Sequence, residues 1–124
     1  MAQQLFLVKL SYIKDLEEID RLMKEHVIFL KKYYKLNKFI VSGRMVPRKG
    51  GVILCVSEST REVKSIMEED PFVINHAAKY QVIEFLASMY SKSFAHDHEK
   101  GCQRADPRVF LILSSKYIGP VLTS

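Results

Sequence analysis

A chain of 124 residues with 48% hydrophobic and 27% charged side chains has the composition of one ordinary globular domain, which excludes wholesale disorder. No apolar run approaches the roughly 18–20 residues of a membrane span, and Met1 to Leu10 lacks the basic start and the length of a signal peptide. A cytoplasmic chain without membrane association is therefore expected. The net charge of +5 tolerates an anionic small molecule but forms no dense basic stripe, so nucleic acid is not an expected partner.

Leu5-Phe-Leu-Val-Lys-Leu10 is a nearly continuous apolar run and reads as a central strand. Asp15 then suits the N-cap of a helix, with Glu18 three residues on completing a capping-box pattern. Acidic Glu17, Glu18 and Asp20 open this helix and Lys31, Lys32 and Lys35 close it, the order the helix dipole favours. Glu17/Arg21 and Asp20/Lys24 are spaced as i,i+4 ion pairs. Leu16, Ile19, Met23, His26/Val27, Leu30 and Tyr34 form the expected inner stripe, and the helix should end near Asn37. Phe39 to Ser42 is a second strand closed by Gly43, for which a positive φ is expected.

The segment Met45 to Gly51, with Pro47 and the Gly50-Gly51 pair, reads as a hairpin connection to a third strand, Val52 to Val56. Ser59 caps a second helix, whose Val63, Ile66 and Met67 face inward, and Asp70-Pro71 stops it. A short helical turn within Pro71 to Ala77 leads to a fourth strand, Tyr80 to Ala87. The order is β-α-β-β-α-β, an α+β ferredoxin-like arrangement with both helices on one face of a four-stranded antiparallel sheet. Apolar side chains remain on the other face, where a second copy would cover them, so a homodimer through the sheet faces is expected. Residues 1–90 would form this domain. Residues 91–124 would form an extension, a polar linker from Ser91 to Asp106 and then a possible strand at Val109 to Leu113.

His26 stands on the inner stripe where a leucine would be ordinary. An imidazole there needs a hydrogen-bond partner: a backbone carbonyl would make it a core histidine, whereas an open side would make it a general acid or base. Asp70 before Pro71 suits an N-cap, and it also suits the carboxylate that orients His26; the spacing alone does not choose. The Ser42 hydroxyl could line a polar pocket, although no GxSxG elbow surrounds it. His96, His98 and Cys102 carry zinc-type donors but lack a recognised four-ligand spacing and read as solvated linker; no metal is expected. His76 falls in a short connection and should be exposed, and Cys55 reads as a small buried hydrophobe. The Lys31-Lys-Tyr-Tyr-Lys35 run with Lys38 is better explained as a solvated helix face than as an RNA contact. With no P-loop, GxGxxG or HExxH, no cofactor is expected.

Taken together, the Leu5–Leu10 strand, inward His26 followed by Phe29-Leu30, Ser42-Gly43, the Gly50-Gly51 hairpin and Asp70-Pro71-Phe72 resemble the YciI-like (YCII-related) family of the dimeric α/β barrel superfamily. The resemblance spans Leu5 to Tyr90. It implies a ferredoxin-like protomer, a dimer whose sheets face each other, and a site in which His26 and Asp70 are catalytic and Ser42, Gly43 and Phe72 bind substrate. Arg44-Met45-Val46-Pro47 departs from the Gly-Pro-type turn more usual there, and the tail from Ser91 lies outside the pattern. The expected function is cofactor-independent acid–base chemistry of the lyase or isomerase kind on a small molecule. The alternatives are a non-catalytic ligand-binding or oligomerisation module of the same barrel type, and heme binding as in other α/β barrels.

Overall fold

The computed structural model describes residues 3–89. The linker, His96, His98, Cys102 and the strand expected at Val109 to Leu113 lie outside the described residues. Seven elements follow in chain order: β1 (Gln4–Tyr12), α1 (Leu16–Lys35), β2 (Phe39–Arg44), β3 (Gly50–Ser57), α2 (Thr60–Met67), α3 (Pro71–Ile74) and β4 (Ala78–Phe85). The strands form one antiparallel sheet in the order β2-β3-β1-β4, as the ferredoxin-like reading requires. None of the described helices is long and apolar enough to cross a membrane.

Local chemistry sets the helix ends. Asp15 accepts the Glu18 amide at 3.1 Å, and Ser59 accepts the Glu62 amide at 3.1 Å, so both expected caps form. Glu18 turns outward to Arg21, at 2.6 Å, rather than back to the cap. Asn37 ends α1 with φ of 62°, a left-handed conformation that asparagine tolerates. Beyond α2, Ser57 and Lys38 both reach the Glu62 carboxylate and hold it below its ordinary pKa, tying β3 and the start of β2 to the second helix.

The core fills the space between the sheet and the two longer helices. Phe6, Val8 and Leu10 of β1 and Ile53 and Cys55 of β3 point toward Ile19, Leu22, Phe29 and Tyr33 of α1 and Val63, Ile66 and Met67 of α2. Burial pushes the Cys55 thiol up to about 12, which fits a small hydrophobe and not a nucleophile. The buried stripe of α1 is Ile19, Leu22, His26, Phe29 and Tyr33; Ile19 and His26 are as expected, while Leu22, Phe29 and Tyr33 each precede the expected residue by one. Leu16 is exposed, while Met23, Leu30 and Tyr34 are only partly buried at the margin. Adjacent apolar positions at 22/23, 29/30 and 33/34 offer the sheet two candidate stripes, and it takes the first.

Strand limits also differ. β2 runs on through Ser42 and Gly43 to Arg44, paired with Ile53, Val52 and Gly51, so Ser42-Gly43 is inside a strand and not its end. Gly43 does not take the positive φ expected of it, and an added Cβ there would meet nothing within 4 Å. Gly50 is the constrained one: a Cβ would fall 2.0 Å from the Leu10 carbonyl oxygen. β1 and β3 approach each other there too closely for any side chain.

On the opposite face, Leu7 of β1 lies between Leu54 of β3 and Ile83 of β4, with Val41 of β2 beyond Leu54. Val41 and Ile83 are exposed, as is Phe85 farther along β4. Gly50→Ala should cost about 2 kcal/mol or more in a urea melt, because backbone must move, whereas Gly43→Ala should stay within about 0.5 kcal/mol of the parent. Equal costs would contradict this placement of the two glycines.

Candidate active site

His26 and Asp70, 44 residues apart, meet where α1 crosses the start of α3: Nδ1 of the imidazole lies 2.8 Å from Asp70 Oδ1. The carboxylate is wholly buried and the imidazole almost so. The same Oδ1 accepts the Phe72 amide at 3.0 Å, capping α3. The two readings of Asp70 are therefore not rivals, because one oxygen does both jobs. With the carboxylate ionised, Oδ1 only accepts hydrogen bonds, and Nδ1 is then the donor of this pair.

Phe72 fixes the ring plane. Its side chain, 1% exposed, stacks on the imidazole with centroids 4.0 Å apart and planes 12° off parallel. Tyr12 meets the Phe72 ring edge-on at 5.9 Å. Held by a carboxylate at Nδ1 and an aromatic on one face, His26 keeps Nε2 free: no partner for that atom is found among the described residues. The backbone-satisfied core histidine is thus not what forms. Asp70 Oδ2 has no partner among the described residues either, the type of orphan that costs about 1–3 kcal/mol.

The imidazole borders a cleft of about 490 Å³, within the range of small-molecule sites. Met23, Val27 and Leu30 of α1 form one wall, and Leu10, Gly51 and Ile53 of the sheet form the other. The margin of α1 that sequence periodicity assigns to the core is thus the cleft lining. Ser42 and Gly43 lie along the same cleft, and so does Phe72. Ser42 Oγ is 2.7 Å from the Tyr34 hydroxyl, which bridges strand and helix beside the opening.

The remaining polar groups of the cleft, Tyr12, Asp20, Arg44 and Arg48, carry no signature in the sequence. Asp20 does not pair with Lys24 as its spacing invites but with Arg48 of the β2–β3 connection, and this bond raises the Arg48 pKa above its already high ordinary value. Nearby, Glu69 binds Lys32 and Tyr33 at 2.8 and 2.7 Å, which depresses its own pKa and braces the segment that delivers Asp70. His76 is exposed at a left-handed turn with φ of 55° and stands apart from the cleft lining. No group of three or more His, Cys, Asp or Glu side chains fit to hold a metal occurs among the described residues.

Fold and site together define a ferredoxin-like α+β domain with an ordered imidazole–carboxylate pair at the edge of a small-molecule-sized cleft. The YCII-related domain matches residues 5–86, and the chain belongs to that family. Among solved structures it is similar to the 5-chloro-2-hydroxyhydroquinone dehydrochlorinase of Burkholderia phenoliruptrix in complex with 2,5-dihydroxybenzoquinone. The two are 22% identical, with a TM-score of 0.58, over 65% of this chain and 92% of the other. No curated protein matches the chain.

Asp70→Ala removes a helix cap and leaves a buried imidazole donor without an acceptor. It should cost about 2–4 kcal/mol by urea denaturation. Asp70→Asn keeps an oxygen for both donors and should cost clearly less; equal losses would show that Oδ1 is not doubly engaged.

Proposed function

We propose that this chain is a cofactor-independent enzyme of the lyase or isomerase kind, acting on a small molecule held in the cleft beneath α1. The observation that carries this reading is the 2.8 Å His26–Asp70 contact, with the other imidazole nitrogen left to the cleft. In the proposed step His26 Nε2 takes a proton from the substrate, and the electron pair left behind expels a leaving group or shifts a double bond. The proton then goes to the departing group, or back to carbon at a new position. Electrons balance without an oxidant or reductant.

Asp70 orients the ring and stands behind the imidazolium that forms, a role worth orders of magnitude where it has been measured in hydrolytic triads. Phe72 keeps the imidazole from rotating, and Ser42 and Gly43 contribute to the substrate-binding surface, the hydroxyl as a hydrogen-bonding group and the glycine by leaving space. The similarity to a dehydrochlorinase supports elimination of a halide from a hydroxylated ring as the first reaction to assay. Set against a pure binding module, the reading is favoured by the carboxylate on Nδ1, which a ligand pocket does not require.

The same reading includes a homodimer joined through the open sheet faces. The row Val41, Leu54, Leu7 and Ile83 supplies an apolar strip that a second copy would bury. Sedimentation should give a dimer for the parent chain and a monomer for Leu7→Arg; a monomeric parent would contradict it.

Chlorinated and hydroxylated hydroquinones, assayed by chloride release and ultraviolet absorbance, test the chemistry. For any compound turned over, His26→Asn should lower kcat by about 10²-fold or more while circular dichroism stays at the parent spectrum. A folded His26→Asn protein working at the parent rate would refute the mechanism.

A further inference from the structure

The cleft holds more cationic than anionic charge in its mouth: Arg44 and Arg48 stand against Asp20. Arg48 is the unusual member. Its side chain is 24% exposed, one terminal nitrogen is bound to Asp20, and the adjacent Nε is buried with no acceptor among the described residues. An arginine offers its Nε and neighbouring Nη as a side-on edge that matches the two oxygens of a planar anion. Here Asp20 takes the Nη side of that edge, the Tyr12 hydroxyl lies against the guanidinium as well, and Nε is left over. The Asp20 carboxylate is 61% exposed, so releasing it to water costs little. Tyr12 lies against both the guanidinium and the Phe72 ring that backs His26, so Arg48 and the imidazole belong to one continuous wall.

We infer that Arg48 is the substrate-selecting residue of this cleft, and that Asp20 is a stand-in counter-ion displaced when a flat, apolar molecule bearing a carboxylate or ionised ring hydroxyl binds there. The inference rests on the cleft being the substrate site, though not on what His26 does to the substrate. The apolar walls, Met23, Val27, Leu30 and Ile53, take the body of the ligand. The anionic edge replaces Asp20 on Arg48 and gives the orphaned Nε an acceptor. Arg44, exposed at the end of β2, adds longer-range attraction.

The test uses benzoate and benzamide, equal in shape and different in charge, with dissociation constants from calorimetry or amide chemical shifts on the full chain. The parent should bind benzoate at least about tenfold more tightly than benzamide. Arg48→Gln should bring the two within about twofold, and Arg48→Lys should lose most of the preference because it keeps the charge but not the fork. Asp20→Asn should tighten benzoate about threefold or more and leave benzamide unchanged, opposite in sign to the Arg48 variants. A merely structural pair would weaken both ligands in both variants.

No benzoate binding up to roughly 20 mM, a preference that survives Arg48→Gln, or weaker benzoate binding in Asp20→Asn would each overturn the inference. His26→Asn separates the two levels. Lost turnover with an intact benzoate preference supports both; an unchanged Arg48→Gln preference beside lost His26→Asn turnover overturns this inference alone.

Discussion

One oxygen atom, Asp70 Oδ1, accepts a hydrogen bond from the His26 ring and another from the Phe72 amide, and the site depends on that double engagement. The first bond orients an imidazole on α1; the second starts the short helix that carries Phe72 beneath the same imidazole. Because Pro71 has no amide hydrogen and a fixed φ, it suits the position after the cap and delivers Phe72 to the stack without competing for the carboxylate. A four-residue helix has little stability of its own. It persists because the cap, the stacked ring and the buried carboxylate reinforce one another.

The position of His26 on α1 explains how one side chain serves core and cleft. The helix carries two neighbouring apolar stripes. Ile19, Leu22, Phe29 and Tyr33 pack on the sheet, and Met23, Val27 and Leu30 face the cleft. His26 sits on the border, buried enough to be held and still part of the cleft lining. The sheet contributes by omission. Gly51 and Gly43 place no side chain along the cleft, and the Ser42 hydroxyl, bonded to Tyr34, keeps hydrogen-bonding capacity at the cleft.

Much of the fold was legible because its signals are local. The caps at Asp15, Ser59 and Asp70 each show in a few consecutive residues, and the strands alternate or run apolar as strands do. The phase of α1 is not legible in the sequence, because the residue pairs at 22/23, 29/30 and 33/34 are apolar on both members and periodicity cannot tell the stripe that meets the sheet from the one beside it. Gly43 is ambiguous for a related reason: glycine marks either a special φ or a need for space, and only the strand pairing separates the two. The His26–Asp70 contact was open in the sequence as one of two readings of each residue. The Asp20–Arg48 pair was hidden, because helix spacing offered Asp20 a nearer partner in Lys24 and nothing local ties Arg48 to α1.

The position of one proton decides what His26 can do. Nitrogen-15 spectra of the histidine side chains, recorded where the His26 ring is neutral, distinguish a protonated Nδ1 from a protonated Nε2. A proton on Nδ1, with that population lost in Asp70→Ala, which leaves no acceptor there, is the result the geometry demands. A proton on Nε2, or a tautomer indifferent to the Asp70 substitution, would mean that the carboxylate does not orient the imidazole, and the acid–base reading would go with it.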